Sequence, residues 1–203
     1  MKIRSILFIA ALLCCARVNA VEINFTSPAF EVAKTSGGID LTGSFTFTLG
    51  SFGAFAPTSS NTSDWFSNFT PVATKGSIAW DTDFTQFSQT ATLANNSGVF
   101  ATTNQAYIWG YNTQTPGTGT EWILFTNTNW KFPTSTNILP TSWDLSDAGT
   151  TAVLGTLNAP GSQIYFSLAS VGAAAIPEPS TYAQIVLGLG ALGFIAYRRR
   201  KVA

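Results

Sequence analysis

Across residues 21–176 no long run sets an apolar side chain at every third or fourth position. This stretch therefore has no extended amphipathic helix with which to build a core, and must bury its apolar residues on strands. The segment Leu41-Thr42-Gly43-Ser44-Phe45-Thr46-Phe47-Thr48-Leu49 largely alternates apolar and polar residues, as a strand with one face on a core does. Residues 87–93 repeat the pattern more weakly. Residues 107–111 (Tyr-Ile-Trp-Gly-Tyr) and 122–125 (Trp-Ile-Leu-Phe) are apolar on both faces, which predicts central strands. Between them residues 112–120 carry Pro116, Gly117 and Gly119, a hairpin loop that would pair the two strands. Further strands are expected at 21–25, 77–80, 99–102, 151–157 and 163–168, with a loop at 57–64 and an irregular segment at 127–140. Short strands separated by turn residues predict an all-β fold: a single jelly-roll-like β-sandwich over residues 21–171, followed by a small-residue linker at 172–176.

The N-terminal end reads as an export leader. Lys2 and Arg4 precede an apolar run at 6–13, and Val18-Asn19-Ala20 forms a cleavage site ahead of Val21, the three parts of a secretory signal peptide over residues 1–20. The apolar run is too short to be a membrane span. Leu12 and Leu13 stand where a lipidated cysteine would need small residues, so Cys14 and Cys15 are read as part of the leader. Cleavage removes both, and a domain without disulfides has to be held by its core alone. The 156 residues from 21 to 176 suffice for one such core. With three lysines (Lys34, Lys75 and Lys131) against nine carboxylates, this part carries a formal charge of −6. It lacks the cations that phosphate contacts require, which argues against nucleic acid as a partner.

At the other end the sixteen residues 182–197 are predominantly apolar, and Arg198, Arg199, Arg200 and Lys201 follow them directly as a block that stays on the cytoplasmic side of a bilayer. As a helix the run is about 24 Å long, against a hydrocarbon core of about 30 Å. Pro177 and Pro179 block its extension upstream. Marginal insertion of this kind suits a tail held until an enzyme removes it, as other tripartite tails are. The residues ahead of the helix are Pro177-Glu178-Pro179-Ser180-Thr181, followed by Tyr182 and a Leu/Gly-rich run at 185–193. In these three parts the tail, residues 177–203, resembles the PEP-CTERM sorting signal of Gram-negative bacteria that make extracellular polysaccharide. The resemblance implies recognition by an exosortase, a membrane-embedded cysteine transpeptidase that supplies its own catalytic residues. It implies transient anchoring in the inner membrane through the apolar helix, cleavage near the motif, and transfer to the cell envelope, cell surface or extracellular matrix. Gly188, Gly190 and Gly193 also spell GxGxxG, but inside an apolar run with no strand before it and no acidic residue beyond, so the match is accidental. Residues 105–112, 121–127 and 130–133 resemble, more loosely, a recurrent exported domain found ahead of such tails, which brings no activity with it.

The chain contains no histidine and its exported part no cysteine, which excludes Ser-His-Asp and Cys-His machinery and removes the commonest zinc ligands. Asp81 and Asp83, if extended, would place two carboxylates on one face about 7 Å apart, a spacing within reach of an inverting glycosidase pair or of calcium. Directly after Trp80 at a strand end, the same residues solvate a turn, and the pair lacks the further ligands a calcium site needs. Asp144, Asp147 and Glu121 offer less. No catalytic residue, cofactor or metal is expected. Six tryptophans fall at 65, 80, 109, 122, 130 and 143; Trp65 and Trp130, set among polar residues, are the candidates for stacking on sugar rings. The expected function is that of a non-enzymatic, surface-sorted envelope or matrix component, the alternative being a carbohydrate-binding module for exopolysaccharide. Sequons at Asn24, Asn61, Asn68 and Asn95 are matches that an Asn-, Ser- and Thr-rich chain produces by composition.

Overall fold

The computed structural model describes residues 20–94, 96–134 and 139–172. The expected leader 1–20 except for Ala20, the expected linker 172–176 except for Gly172, and the tail from 177 on, including the expected helix at 182–197, lie outside the described residues. A boundary between two structural units falls between Val171 and Gly172. The described part is mostly β, with several sheets and a single short helix. Its strands are β1 (Val21–Thr26), β2 (Ala33–Lys34), β3 (Thr46–Ser51), β4 (Thr70–Pro71), β5 (Ser77–Ala79), β6 (Ser88–Leu93), β7 (Gln105–Tyr111), β8 (Glu121–Lys131), β9 (Thr141–Asp144), β10 (Thr150–Leu154), β11 (Thr156–Leu157), β12 (Phe166–Ser167) and β13 (Ala169–Ser170). Helix α1 is Trp65–Asn68.

The largest sheet runs β10-β8-β7-β3-β4, with β5 also on β3 and β13 also on β8. Its centre is the antiparallel β7–β8 hairpin, which pairs Tyr111 with Trp122 and Ile108 with Phe125. Because successive side chains on a strand point to opposite faces, the continuous apolar runs of β7 and β8 require cover on both sides. They receive it. Ile108, Ile123 and Phe125 join Phe47 and Leu49 of β3 in the main core. Trp109, Trp122 and Leu124 join Phe52, Trp65, Phe69 and Val171 in a second cluster on the opposite face. Gly110 sits on the main-core face where a Cβ would lie 2.5 Å from the ring of Phe47, so only glycine lets β3 approach.

Two smaller sheets complete the fold, β6-β1-β9 and β11-β12-β2. Strand β1 is antiparallel to β6 and parallel to β9, and its Ile23 and Phe25 enter the main core beside Ala91 and Leu93 of β6. The strand that begins at Val21 is thus a central one.

Several expectations need correction. Strand β3 begins only at Thr46, because the Phe45 N–H closes a turn by donating to the Thr42 carbonyl; Leu41 and Phe45 are buried all the same. Residues 99–102 are not a strand. Gly98–Phe100 form a 3-10 turn started by Gly98 at φ +62°, which drops Phe100 onto Phe132 at 5.1 Å between ring centroids. The segment 127–140 is not irregular at its start, since β8 continues to Lys131 through a bulge opposite Gln105. The Gln105 amide donates to the carbonyls of Asn127 (2.6 Å) and Trp130 (3.0 Å), satisfying acceptors that the bulge leaves outside the ladder. Residues 151–157 split at Gly155 (φ +82°) into β10 and β11, which join different sheets. Within 163–168 only Phe166–Ser167 pair as a strand. The two-residue strands β2, β4 and β13 are too short to show any periodicity.

Candidate functional site

Six acidic side chains of the β-domain are engaged in contacts with its loops. Asp81 Oδ1 accepts hydrogen bonds from the backbone N–H of Asp83 (2.9 Å) and Phe84 (3.1 Å), while Asp81 and Gln86 exchange backbone hydrogen bonds across the same turn. The Asp81-Thr82-Asp83 element is therefore a turn-former with one carboxylate turned onto its own backbone. Glu121 accepts from both the N–H and the hydroxyl of Ser36, eighty-five residues away, and Glu31 accepts from the Gly161 N–H. Asp144 accepts from Ser146, and Asp147 Oδ2 accepts from Trp130 Nε1 (3.1 Å) and the Asp144 N–H (2.9 Å). Asp40 forms an ion pair with Lys34 at 2.6 Å. These six carboxylates tie loops down. Among the described residues no group of three or more His, Cys, Asp or Glu side chains gathers as a metal site.

The tryptophans picked out from their polar neighbours are buried. Trp65 is 0% exposed; its indole stacks on Trp122 (5.6 Å, 16°), stands edge-on to Trp109 (6.0 Å, 81°) and donates to Asn61 Oδ1 (2.9 Å). Trp130 is 2% exposed, stacked on Trp143 at 6.0 Å and bonded to Asp147. Neither ring offers a face to a sugar, and both expectations of stacking are corrected. Their polar neighbours partner the indole N–H groups; they do not mark open surface. Asn61 and Asn68 spend their side chains in the same way, Asn61 on Thr58, Ala56 and Trp65, Asn68 on the Asp64 carbonyl.

Exposed aromatic surface lies elsewhere. Phe30, 73% exposed, and Phe84, 51% exposed, contact one another at 5.9 Å between ring centroids and 58° between planes. The Phe30 N–H donates to the Phe84 carbonyl at 2.8 Å, which ties the segment after β1 to the 81–86 turn. Beside Phe30 opens a groove of about 460 Å³ whose wall and floor include Glu31, Val32, Asp40, Leu41, Trp80 and Thr85. Phe30 (φ +61°) and Thr85 (φ +43°), which both line it, hold left-handed backbone conformations that cost a residue with a Cβ. Nothing in the local pattern of the sequence announces this pair. Phe30 and Phe84 are single aromatics in polar or turn-forming surroundings, and only the fold brings them together.

Among the described residues two buried polar groups, the Trp109 indole N–H and the Tyr165 hydroxyl, lie outside these contacts. The Tyr165 hydroxyl finds no hydrogen-bond partner among the described residues, and burial, followed by the negative charges of Asp144, Glu31 and Asp147, pushes its ionisation well above the usual tyrosine range. Tyr107 is raised as well, by burial.

Comparison with known proteins adds one finding. Residues 175–201 match the PEP-CTERM protein-sorting motif, so the tail carries that motif. It covers Pro177, Glu178, Pro179, Ser180 and Thr181 together with Arg198, Arg199, Arg200 and Lys201. The motif implies an exported, envelope-sorted protein processed by an exosortase. No curated protein and no solved structure matches the chain.

Proposed function

We propose that this PEP-CTERM-bearing chain is a non-enzymatic component of the bacterial envelope or extracellular matrix. In this reading the leader 1–20 directs export, the 182–197 segment holds the protein briefly in the inner membrane, and an exosortase cuts near Pro179 and passes the β-domain outward. The observation that carries it is the motif match at 175–201. The domain itself supports a structural role, because the carboxylates of Glu31, Asp40, Asp81, Glu121, Asp144 and Asp147 are all engaged in holding loops. We read its architecture as a sandwich, since Ile23 and Phe25 of one sheet share a core with Phe47, Ile108 and Phe125 of another. The parallel pairs β1–β9 and β2–β12 set it apart from a purely antiparallel jelly roll.

Intact mass of the protein recovered from the cell surface, with and without a functional exosortase, tests this proposal. The expected product lacks residues 1–20 and those after about Pro179, by the logic of tails removed after recognition. A full-length tail on surface protein from exosortase-positive cells overturns it.

A second reading, carbohydrate binding, is favoured by one observation: the exposed Phe30–Phe84 pair beside a groove. It no longer involves Trp65 or Trp130.

A further inference from the structure

We propose that the groove lined by Phe30 binds a neutral hexose unit of a polysaccharide, with the Phe30 ring, extended at the groove's rim by the Phe84 ring it contacts, as a platform for the C–H face of the sugar; this rests on the carbohydrate-binding reading above. Phe66 is exposed singly at 60%, whereas Phe30 and Phe84 contact one another at the surface, and it is contiguous apolar patches that mark interaction sites. Their presentation is built. The Asp81 carboxylate caps the turn that carries Phe84, the Phe30 N–H locks onto the Phe84 carbonyl, and Phe30 and Thr85 hold left-handed backbone. Strained non-glycine residues gathered at one groove fit a ligand clamp, where the surrounding structure holds a geometry the chain alone disfavours.

The lining chooses the ligand class. Beside the exposed ring of Phe30, over the nearly buried Leu41 and Trp80, stand acceptors and hydroxyls: Glu31 and Asp40, each with lone pairs left beyond its bond to Gly161 or Lys34, and Thr82 and Thr85, whose side chains make no hydrogen bond among the described residues. A hexose ring has the complementary pattern, an apolar C–H face with a girdle of hydroxyls that donate to carboxylates and threonine oxygens. A volume of about 460 Å³ is of the size that small-ligand sites occupy. Uronic acids are disfavoured, because their carboxylates would meet Glu31 on a domain of formal charge −6 over residues 21–176, while Lys34, the cation beside the groove, is already paired with Asp40. A second copy of the chain brings the same charge, and an apolar protein partner would leave these carboxylates in the kind of contact centre where charge is depleted.

Saturation-transfer NMR on the exported protein purified from producing cells, with cellohexaose, maltohexaose and mannohexaose as neutral probes and a guluronate hexamer as the acidic control, provides the test. At least one neutral hexamer is expected to receive saturation on its ring-face protons and the guluronate hexamer none. Phe30→Ala and Phe84→Ala should each weaken binding about tenfold or more. Phe30→Gly, which keeps the left-handed backbone without its strain, should lose binding while its unfolding midpoint stays at or above that of the parent. Undiminished binding in both alanine variants overturns the site but leaves the carbohydrate reading standing. Absence of binding to every neutral hexamer overturns both, equal binding of the guluronate hexamer overturns the ligand class, and a concentration-dependent dimer abolished by Phe30→Ala assigns the surface to a second copy.

Discussion

At the scale of single residues, the fold uses its aromatic and polar side chains differently from what their neighbours in the chain suggest. Trp65 and Trp130 are core residues whose indole N–H groups find Asn61 and Asp147. Trp65→Ala and Trp130→Ala are each expected to cost about 3–5 kcal/mol in urea unfolding, the usual range for emptying a tryptophan site, and to leave polysaccharide binding per folded molecule unchanged. Tyr165 is the opposite case, a buried hydroxyl with no partner among the described residues. Tyr165→Phe removes that desolvated group and should stabilise the domain by on the order of 1 kcal/mol. It should also flatten the alkaline limb of the stability curve. Because the folded protein holds the Tyr165 proton more tightly than the unfolded chain does, its contribution is fully present below about pH 10 and is lost as pH rises further. Denaturant titrations at rising pH on the two proteins check both points; an unchanged alkaline slope in the phenylalanine variant would count against the assignment.

At the scale of elements, the long apolar strands and the turns behave as their local chemistry dictates, and the differences arise where an irregularity is stabilised from a distance. The bulge in β8 persists because Gln105 on the neighbouring strand caps the carbonyls of Asn127 and Trp130. The 81–86 turn persists because Asp81 accepts two backbone N–H groups within it. Asp81→Ala should therefore speed amide exchange at Asp83 and Phe84 and cost about 1 kcal/mol. Asp81→Asn, whose side-chain oxygen still accepts, should keep most of the protection. Equal loss of protection in the asparagine and alanine variants would count against the turn-capping role.

At the scale of the whole molecule, residues 21–176 contain no cysteine, so the domain depends on continuous burial across its sheets. Strand β1 shows how non-local that burial is, with Ile23 paired to Ala91 on one side and to Thr141 on the other. The unfolding midpoint of the exported protein should accordingly be indifferent to reductant. A midpoint that falls on adding dithiothreitol would mean that the cysteines survive export, and would contradict cleavage after Ala20.

The sorting tail and the β-rich character of the middle were legible in the sequence, because each is written in contiguous residues: a motif, an apolar run and a basic block in fixed order, and a period-two alternation that a strand expresses locally. The central hairpin of β7 and β8 was legible for the same reason, since both strands and their turn lie within one short stretch. Exposure was not. Whether Trp65 faces water depends on Trp122, and Phe30 acquires its aromatic neighbour from residue 84, contacts set by how the sheets close on one another. Which aromatic surface remains available to a ligand is therefore decided by tertiary structure alone, because burial is a property of pairs of residues far apart in the chain.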